Sequence, residues 1–398
     1  MSLLRVGIDV RCLSDSAEVR GFARYTSEVL HALAARNDVE LLGYSDRDVE
    51  HLPPRMQFRR FSSRREIDAE QRVWPRLLRD DAIDVVFSPA NRGLPLLTSC
   101  PTVLTLHDAV EWDRTLVEAP QGRDRFRFGY SNIASILNAG LVITVSRHSA
   151  RDIEQRLGIP GSRMRVVYEA ADDRFRRDEL LNDEERRLDR AVAEKLGIDS
   201  RTVVYVGGCD AKKGIPELVE GFAAFAAKTS DASLALVGAR PAREAIEALA
   251  ASLGIVDRVH LLGYVPDAEL PSVYRNAGCF ATAAAFEGFG LPAMEAMACG
   301  TPVIVPSAGS LPEVVAEGGL HYAAGNASDL GRALREVMGT ATSQRLWAGK
   351  AIVRAGEFSW ARTADLTLQV LREAAAIGRV RRVGRAVSLV PQTLKWVA

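Results

Sequence analysis

Short apolar runs rich in β-formers alternate with amphipathic helical patterns along the chain, and this alternation restricts its possible folds more than any other feature. Strands are predicted in two groups, at 5–10, 39–44, 85–88, 103–106 and 141–145, and then at 203–206, 234–237, 259–261, 279–282 and 303–305. Strands that alternate with helices form parallel sheets covered by crossover helices. The sequence therefore predicts an α/β fold of two Rossmann-like, doubly wound domains that face a central cleft.

A charge-dense stretch from Asp172 to about Arg190 separates the two groups of strands and is interpreted as an interdomain break. A chain of 398 residues also exceeds the size at which one core keeps growing. The predicted organisation is a first domain at 1–175, a linker at 176–200, a second domain at 201–358, a helix at 359–376 that crosses back to the first domain, and a basic tail at 377–398.

Composition argues against several classes of protein. Lys plus Arg and Asp plus Glu number 51 each, so no net charge directs the whole chain to nucleic acid or to a membrane. The five cysteines include no CxxC pair, which argues against a disulfide scaffold or a zinc site and favours a reducing cytoplasm. Charges at Arg5 and Asp9 interrupt the first apolar run, which argues against a signal peptide. The sequence contains no run of about 18 uncharged apolar residues, so no membrane span is predicted.

The motif with the most chemical content is AAFEGFGLPAMEAMACGTPVIVP at 284–306, where a predicted strand leads through a glycine-rich turn into a helix. Gly288 and Gly290 permit a close approach of backbone to a ligand. The amides of Gly290 and Leu291 at the start of the helix can bind an anion. The motif therefore indicates a phosphate site.

Two carboxylates flank this turn. Glu287 precedes the helix and Glu295 lies on its first turns, so both can accept hydrogen bonds from hydroxyls of one ligand. The alternative is that Glu295 faces solvent and that Glu287 is only a favourable charge at a helix N-terminus.

A second glycine turn, YVGGCDAKKGIPELVEGF at 205–222, also joins a predicted strand to a helix. Lys212 and Lys213 stand at its mouth, where two ammonium groups and two helix N-termini can compensate a diphosphate without a divalent ion. Taken alone, this turn fits an ordinary surface turn as well as it fits a phosphate-binding turn. Together with the two glutamates, it indicates a nucleotide-sugar site.

These motifs resemble the signature of glycosyltransferase family 4, the retaining, mannosyltransferase-like group 1 enzymes of the two-Rossmann-domain GT-B type. The resemblance covers nearly the whole chain. It implies that Glu287 contacts hydroxyls of the donor sugar, that Glu295 holds the ribose and that Lys213 stabilises the leaving diphosphate. The donor-binding residues that it implies are Gly21, Gly208, Lys212, Lys213, Tyr264, Val265, Glu287, Gly288, Phe289, Gly290, Leu291 and Glu295.

The second turn departs from the family at one position. Many relatives have arginine directly after the first glycine, where this chain has Gly208, and Lys212 can take over that charge. Relatives with a Gly-Gly turn often use GDP-mannose, so mannose from GDP-mannose is the expected donor. The alternative is a UDP-sugar with a small-molecule acceptor.

In the first predicted domain, His107 and Asp108 follow a strand and lie at the edge where such sheets bind ligands. A solitary histidine is often structural, whereas the family resemblance implies that His107 approaches the donor sugar and acts catalytically with Lys213 and Glu287. Asp108 and Ser146 are predicted to bind the acceptor, although Ser146 can also cap a helix. Gly21 is placed in the loop after the first strand, near donor phosphate or acceptor, unless that loop is a plain connection.

Arginines crowd residues 55–79 among aromatic side chains, and further basic residues lie at 123–127 and after Glu373. This surface is either a solvated face or a contact with an anionic membrane, where each basic residue adds about 1 kcal/mol. Nucleic acid is not an expected partner because no recognised nucleic-acid module accompanies the arginines.

The predicted function is retaining, metal-independent transfer of a hexosyl group to a lipid-linked or cell-surface glycan, with no cofactor. The predicted location is the cytoplasm, either free or peripheral on the inner face of the plasma membrane. One rival is a metal-dependent transferase, because Asp46 and Asp48 form a DxD triplet after a predicted strand. A hydride-transferring enzyme is a less well supported alternative, because no GxGxxG motif follows a predicted strand. A non-catalytic nucleotide-sugar-binding protein of the same fold is the alternative from another class.

Overall fold

A computed structural model describes residues 3–14, 20–49, 51–62, 68–91, 93–112, 132–239 and 242–377. The chain divides into two units, one formed by Met1–Glu169 with Trp360–Ala398 and the other by Ala170–Ser359. The segment 176–200, predicted to be a linker, lies in the second unit. The predicted basic tail begins at 377, and its residues from 378 onward lie outside the described part of the chain.

The first unit contains a seven-stranded sheet in the order β3-β2-β1-β4-β5-β6-β7, with parallel pairing throughout. Its strands are β1 (Leu4–Asp9), β2 (Val39–Ser45), β3 (Gln57–Arg60), β4 (Val85–Ser88), β5 (Thr102–Leu106), β6 (Leu141–Thr144) and β7 (Met164–Val166). Its helices include α1 (Arg20–Ala34), α2 (Trp74–Asp80), α3 (Arg147–Leu157) and, after the second unit, α12 (Trp360–Ile377). Every residue of β4, β5 and β6 is buried, as expected for parallel strands covered on both faces.

The second unit contains a six-stranded parallel sheet in the order β10-β9-β8-β11-β12-β13. Its strands are β8 (Thr202–Val206), β9 (Ser233–Val237), β10 (Val259–Gly263), β11 (Cys279–Ala281), β12 (Val303–Pro306) and β13 (Leu320–Tyr322). Its helices are α4 (Asp183–Leu196), α5 (Ile215–Ala226), α6 (Arg243–Ser252), α7 (Leu270–Asn276), α8 (Leu291–Ala298), α9 (Leu311–Val315), α10 (Ala327–Met338) and α11 (Ala341–Ala355). The prediction of two Rossmann-like parallel sheets is confirmed.

Helix α12 completes the first unit, although it follows the whole of the second unit in the chain. It packs against α1 and against β4, β5 and β6, and buries Leu368 and Leu371. The indole of Trp360 lies 6.0 Å from the ring of Tyr25 on α1. Ion pairs, among them Arg372 with Asp38, Arg36 with Asp365 and Arg165 with Glu373, join its polar side to the same unit. Among the described residues, no helix combines the length and apolar character needed to cross a bilayer.

Helix α4 is held to α7 by a buried polar network around Asp189. The carboxylate of Asp189 accepts hydrogen bonds from Ser272 Oγ at 2.8 Å, Arg275 Nε at 2.9 Å and Asn276 Nδ2 at 2.7 Å. The side chains of Asp189 and Arg275 are 4% and 9% exposed. Since a buried ion pair is stable only when both charges are compensated, this network depends on both partners.

We expect Asp189→Asn to destabilise the second unit by about 3–5 kcal/mol, because the guanidinium of Arg275 would stay buried without its counter-charge. The measurement is urea unfolding followed by circular dichroism. The matched control is Asp183→Asn on the same helix, where the side chain is 95% exposed and pairs with Arg186. Equal shifts for the two variants would contradict the assignment of the buried network.

Candidate functional site

Three loops of the second unit meet at the carboxyl edge of its sheet. They follow β8, β11 and β12, which are neighbours in the sheet, and ligands bind at this edge in such folds. The amide of Ala285 donates to the carbonyl of Lys212 at 2.8 Å, and the amide of Ser310 donates to the carbonyl of Glu287 at 3.3 Å. Ser310 Oγ also donates to the carbonyl of Phe289 at 2.9 Å. Hydrogen bonds thus fix the three loops to one another.

Two glycines make this meeting of loops possible. A methyl group on Gly214, where φ is +63°, would lie 2.2 Å from the carbonyl oxygen of Ala283. A methyl group on Gly309, where φ is +61°, would lie 2.9 Å from the amide nitrogen of Glu287. Both positions combine a left-handed backbone with a neighbour too close for a side chain, so glycine is required for two reasons.

The loops after β8 and β11 bring Lys213 and Glu287 into contact. Lys213 Nζ donates to Glu287 Oε1 at 2.6 Å, and each side chain is 18% exposed. Partial burial weakens screening by water and strengthens such a pair. The predicted phosphate ligand and the predicted hydroxyl ligand are therefore adjacent, and their charges balance each other.

The helix N-terminus predicted to bind an anion is that of α8. Gly290 is its N-cap, and the amides of Gly290 and Leu291 precede the first hydrogen bonds within the helix. Phe289, in the turn with Gly288, is 3% exposed, and its ring lies 5.9 Å from the ring of Phe358. Phe289 therefore contributes packing under the turn, while the backbone beside it provides the polar groups.

Glu295 lies on α8 but does not face solvent. It is 1% exposed, and Tyr274 donates its hydroxyl hydrogen to Glu295 Oε2 at 3.0 Å. The alternative in which Glu295 is a solvated helix charge is wrong, because α7 covers this side of α8. Tyr274 is a partner that the motif did not identify.

Tyr205 fixes the Gly207-Gly208 turn, and sequence reasoning also missed it. Its hydroxyl donates to the carbonyl of Gly208 at 2.6 Å. Burial raises the pKa of Tyr205, and the negative charge of Glu287 acts in the same direction. The phenol therefore stays neutral and keeps donating at any physiological pH. The signal available in the sequence was a tyrosine within a predicted strand, two residues before Gly207-Gly208.

The loop after β10 contains Tyr264 and Val265, two of the donor-binding residues that the resemblance implies. Tyr264 is 60% exposed, whereas Val265 is 3% exposed and belongs to the core. The amide of Gly238 donates to the carbonyl of Gly263 at 2.7 Å, which ties this loop to the end of β9. An exposed aromatic ring next to a fixed backbone turn is a surface on which a flat ligand can stack.

In the first unit, His107 follows β5 and is buried, at 7% exposure. Its Nδ1 lies 3.1 Å from Glu169 Oε1, and its Nε2 lies 3.0 Å from the carbonyl oxygen of Pro89. Asp108 Oδ1 accepts a hydrogen bond from the amide of Val110 at 3.1 Å. Sequence reasoning did not identify Glu169 as a partner of His107.

Gly21 and Ser146 are placed differently from the sequence prediction. Gly21 is the second residue of α1 and does not lie in a loop, so the placement in the loop was wrong. Ser146 is the N-cap of α3, where its Oγ accepts from the amide of Ser149 at 3.0 Å, and its side chain is fully buried. The structure thus supports the capping interpretation and shows no exposed hydroxyl at Ser146 for an acceptor.

Two family models match the chain. The model described as "Glycosyl transferases group 1" matches residues 189–351, and the model described as "Glycosyltransferase Family 4" matches residues 19–175. Their boundaries place the two glycine turns in the first match and His107 in the second.

Curated relatives and solved structures resemble the chain at lower identity. An O-antigen chain mannosyltransferase B from Escherichia coli is 25% identical over 63% of this chain and 65% of its own length. A D-inositol 3-phosphate glycosyltransferase from Corynebacterium aurimucosum is 28% identical over 71% of this chain and 67% of its own length. The alignments thus span about two thirds of these relatives.

The structural similarity extends over nearly the whole chain. A sucrose-phosphate synthase from Thermosynechococcus elongatus superposes with a TM-score of 0.70 at 19% identity, over 94% of this chain and 100% of that one. HepE from Anabaena, solved with UDP and glucose, superposes with a TM-score of 0.70 at 17% identity, over 93% and 100%. At these identities the similarity concerns the fold.

We expect Gly214→Ala to lower the thermal unfolding midpoint of the second unit more than Gly197→Ala does. The two glycines have nearly equal φ, +63° and +68°, so the backbone cost of about 1–2 kcal/mol is shared. A methyl at Gly197 meets no atom within 4 Å, whereas at Gly214 it overlaps the carbonyl oxygen of Ala283. Scanning calorimetry measures the difference, and equal midpoints would show that the loops do not meet as described.

Proposed function

Since this chain belongs to the group 1 glycosyltransferases of family 4 and has their two-domain GT-B fold, we propose that it transfers a hexosyl group from a nucleotide sugar to a glycan or lipid-linked acceptor. The single observation that carries the proposal is the contact of Lys213 with Glu287 on the second unit. Gly290, the N-cap of α8, follows Glu287 by three residues. An ammonium and free helix amides bind a diphosphate, and a carboxylate accepts from sugar hydroxyls. In this proposal, the second unit binds the donor and the first unit binds the acceptor.

Lys213 and Glu287 would exchange partners when the donor binds. A sugar hydroxyl that donates to Glu287 takes over the role of the ammonium, and Lys213 is then available to a phosphate oxygen. Both groups are partly buried, so leaving either charge unpaired would be costly. Each exchange avoids this cost because the ligand supplies a new partner. Recognition of the sugar and stabilisation of the diphosphate are thereby coupled.

The proposed reaction retains the anomeric configuration. The bond between the anomeric carbon and the phosphate oxygen breaks, and its electron pair leaves with the diphosphate. The acceptor hydroxyl attacks the same face of the sugar, and its proton passes to the departing phosphate oxygen. Lys213, Lys212 and the amides of Gly290 and Leu291 lower the barrier by stabilising the charge that develops on the leaving group.

We further propose that the reaction needs no divalent ion, because these cationic and amide groups supply the compensation. Asp48 of the DxD triplet, which would be the metal ligand in the rival enzyme, accepts from Arg60 Nη1 at 2.7 and 2.9 Å through its two oxygens. Activity in excess chelator would support this part of the proposal.

The proposed donor is GDP-mannose. Similarity to a mannosyltransferase and the Gly207-Gly208 turn support mannose, with the base stacked near Tyr264 and the ribose toward Glu295. A UDP-sugar is the second candidate, because structures of HepE, a protein of the same fold, contain UDP or UDP-glucose.

We also propose that the protein acts in the cytoplasm, at the inner face of the plasma membrane. Its five cysteines are all free thiols, which fits a reducing compartment. Several arginines of the 55–79 segment are engaged in ion pairs, Arg59 with Asp81 and Arg60 with Asp48. The arginines at 64–65 and 123–127 and those after 377 lie outside the described residues.

A cationic face remains on and beside helix α2. Arg72, Arg76 and Arg79 line a groove of about 340 Å³ next to Leu97. Leu97 is 72% exposed, and Arg72 Nη1 lies 3.6 Å from Asp68 Oδ1, a long contact for an ion pair. Basic side chains beside an exposed leucine favour contact with anionic lipid at the membrane surface.

To test the transferase, we would incubate the protein with a panel of GDP- and UDP-sugars and measure release of the nucleoside diphosphate. We expect Lys213→Ala to lower kcat at saturating donor by about 10²–10³-fold, because a group that stabilises the developing charge is lost. Lys228→Ala, at an exposed lysine of the same unit, should leave kcat unchanged. Full turnover by Lys213→Ala would remove the proposed role, and no release with any nucleotide sugar would contradict the function.

To test the membrane surface, we would compare sedimentation with phosphatidylglycerol vesicles. We expect Arg76→Gln combined with Arg79→Gln to weaken binding about 30-fold, because each basic residue contributes about 1 kcal/mol. The control, Arg187→Gln combined with Arg345→Gln, removes the same charge from exposed sites of the second unit. An equal loss in both double variants would show that net charge, and not this face, governs binding.

A further inference from the structure

His107 and Glu169 form a buried pair that the motifs did not identify. Glu169 is the last residue of the first unit before the chain enters the second, and 62 residues separate it from His107. The two side chains are 8% and 4% exposed, and Nδ1 lies 3.1 Å from Oε1. Because both groups are shielded from water, the protonation state of each depends on its immediate hydrogen-bond partners.

Both ring nitrogens of His107 face oxygen atoms that accept hydrogen bonds. Nδ1 meets the carboxylate of Glu169, and Nε2 meets the carbonyl of Pro89 at 3.0 Å. A neutral imidazole carries only one N–H, so it can satisfy only one of these acceptors. Both contacts are hydrogen bonds when both nitrogens carry hydrogen and Glu169 is ionised.

Two aromatic side chains of α1 pack against the ring. Tyr25 of α1 lies edge-on, with ring centroids 4.6 Å apart, and Phe22 of the same helix lies at 4.7 Å. Burial raises the pKa of Tyr25, and the charge of Glu169 adds to this effect, so the phenol is neutral. The amide of His107 also donates to Asn91 Oδ1 at 2.9 Å, which fixes the backbone.

We propose that Glu169 is a positioning residue that holds His107 as a doubly protonated imidazolium, so that the ring meets substrate as a hydrogen-bond donor and not as a general base. No lone pair is then available at Nε2 to accept a proton. A ligand oxygen that reaches the ring takes the place of the Pro89 carbonyl as acceptor of the Nε2 hydrogen. The charge of the ring stays balanced by Glu169 throughout.

This role agrees with the proposed transfer, on which its catalytic part rests. In same-face attack the acceptor proton goes to the departing phosphate oxygen, so no protein base is required. A donor of fixed charge can instead strengthen its hydrogen bond as negative charge develops on a ligand oxygen.

The test begins with the full chain labelled with ¹⁵N at histidine. Long-range ¹H–¹⁵N correlation spectra at pH 8 report how many nitrogens of each imidazole carry hydrogen. His107→Asn identifies the signals. We expect both nitrogens of His107 to carry hydrogen in the wild type, and one of them to lose it in Glu169→Gln, whose amide can donate to Nδ1 while Nε2 keeps its bond to Pro89. A neutral ring in the wild-type spectrum would overturn the proposal and needs no variant to fold.

Kinetics separate positioning from packing. We expect Glu169→Gln to lower kcat about tenfold at pH 8 and less at pH 6, where solvent can protonate the ring, with a smaller change in donor KM. Glu373→Gln, which removes a half-exposed carboxylate of the same unit, should match the wild type in spectrum and pH profile. A loss that is constant with pH would overturn the positioning role. If the wild type turned over no nucleotide sugar, the transferase would be contradicted, while the spectrum would still decide the state of His107.

Discussion

The parallel pairing of β8, β11 and β12 is the constraint on which the donor half of the protein depends. It delivers three loops to one edge of the sheet, where their backbones approach so closely that Gly214 and Gly309 cannot carry side chains. Lys213 and Glu287, 74 residues apart in the chain, meet only because those loops are fixed to each other. The chemistry of this site therefore rests on backbone contacts, and the ion pair is their result.

The sequence predicted the interior strands better than the edges. Strands such as β4 and β8 are continuous apolar runs because both of their faces are covered. The strands β3, β7 and β13 were missed; each lies at an edge and has three or four residues, and β3 contains two arginines. Helix α4 lies in the segment predicted to be a linker, because its sequence is dense in charges and its buried residues, Asp189 and Ala193, form no apolar stripe.

For the site, sequence reasoning found the groups that a local motif defines and missed those that only folding brings near. Lys213 and Glu287 belong to glycine turns whose spacing reveals them. Glu169 and Tyr274 act through partners far along the chain or on another helix, and no local spacing encodes such a contact. The family resemblance supplied His107 but not the carboxylate that sets its protons.

The return of α12 has a consequence for how the protein is made. On the ribosome, residues up to 169 emerge first but still lack the helix that covers β4, β5 and β6. The second unit is a continuous segment, so it can finish folding while the first still exposes an apolar face. Only when Leu368 and Leu371 leave the exit tunnel can that face be covered. Until then it is the first unit, and not the second, whose exposed apolar surface is available to chaperones.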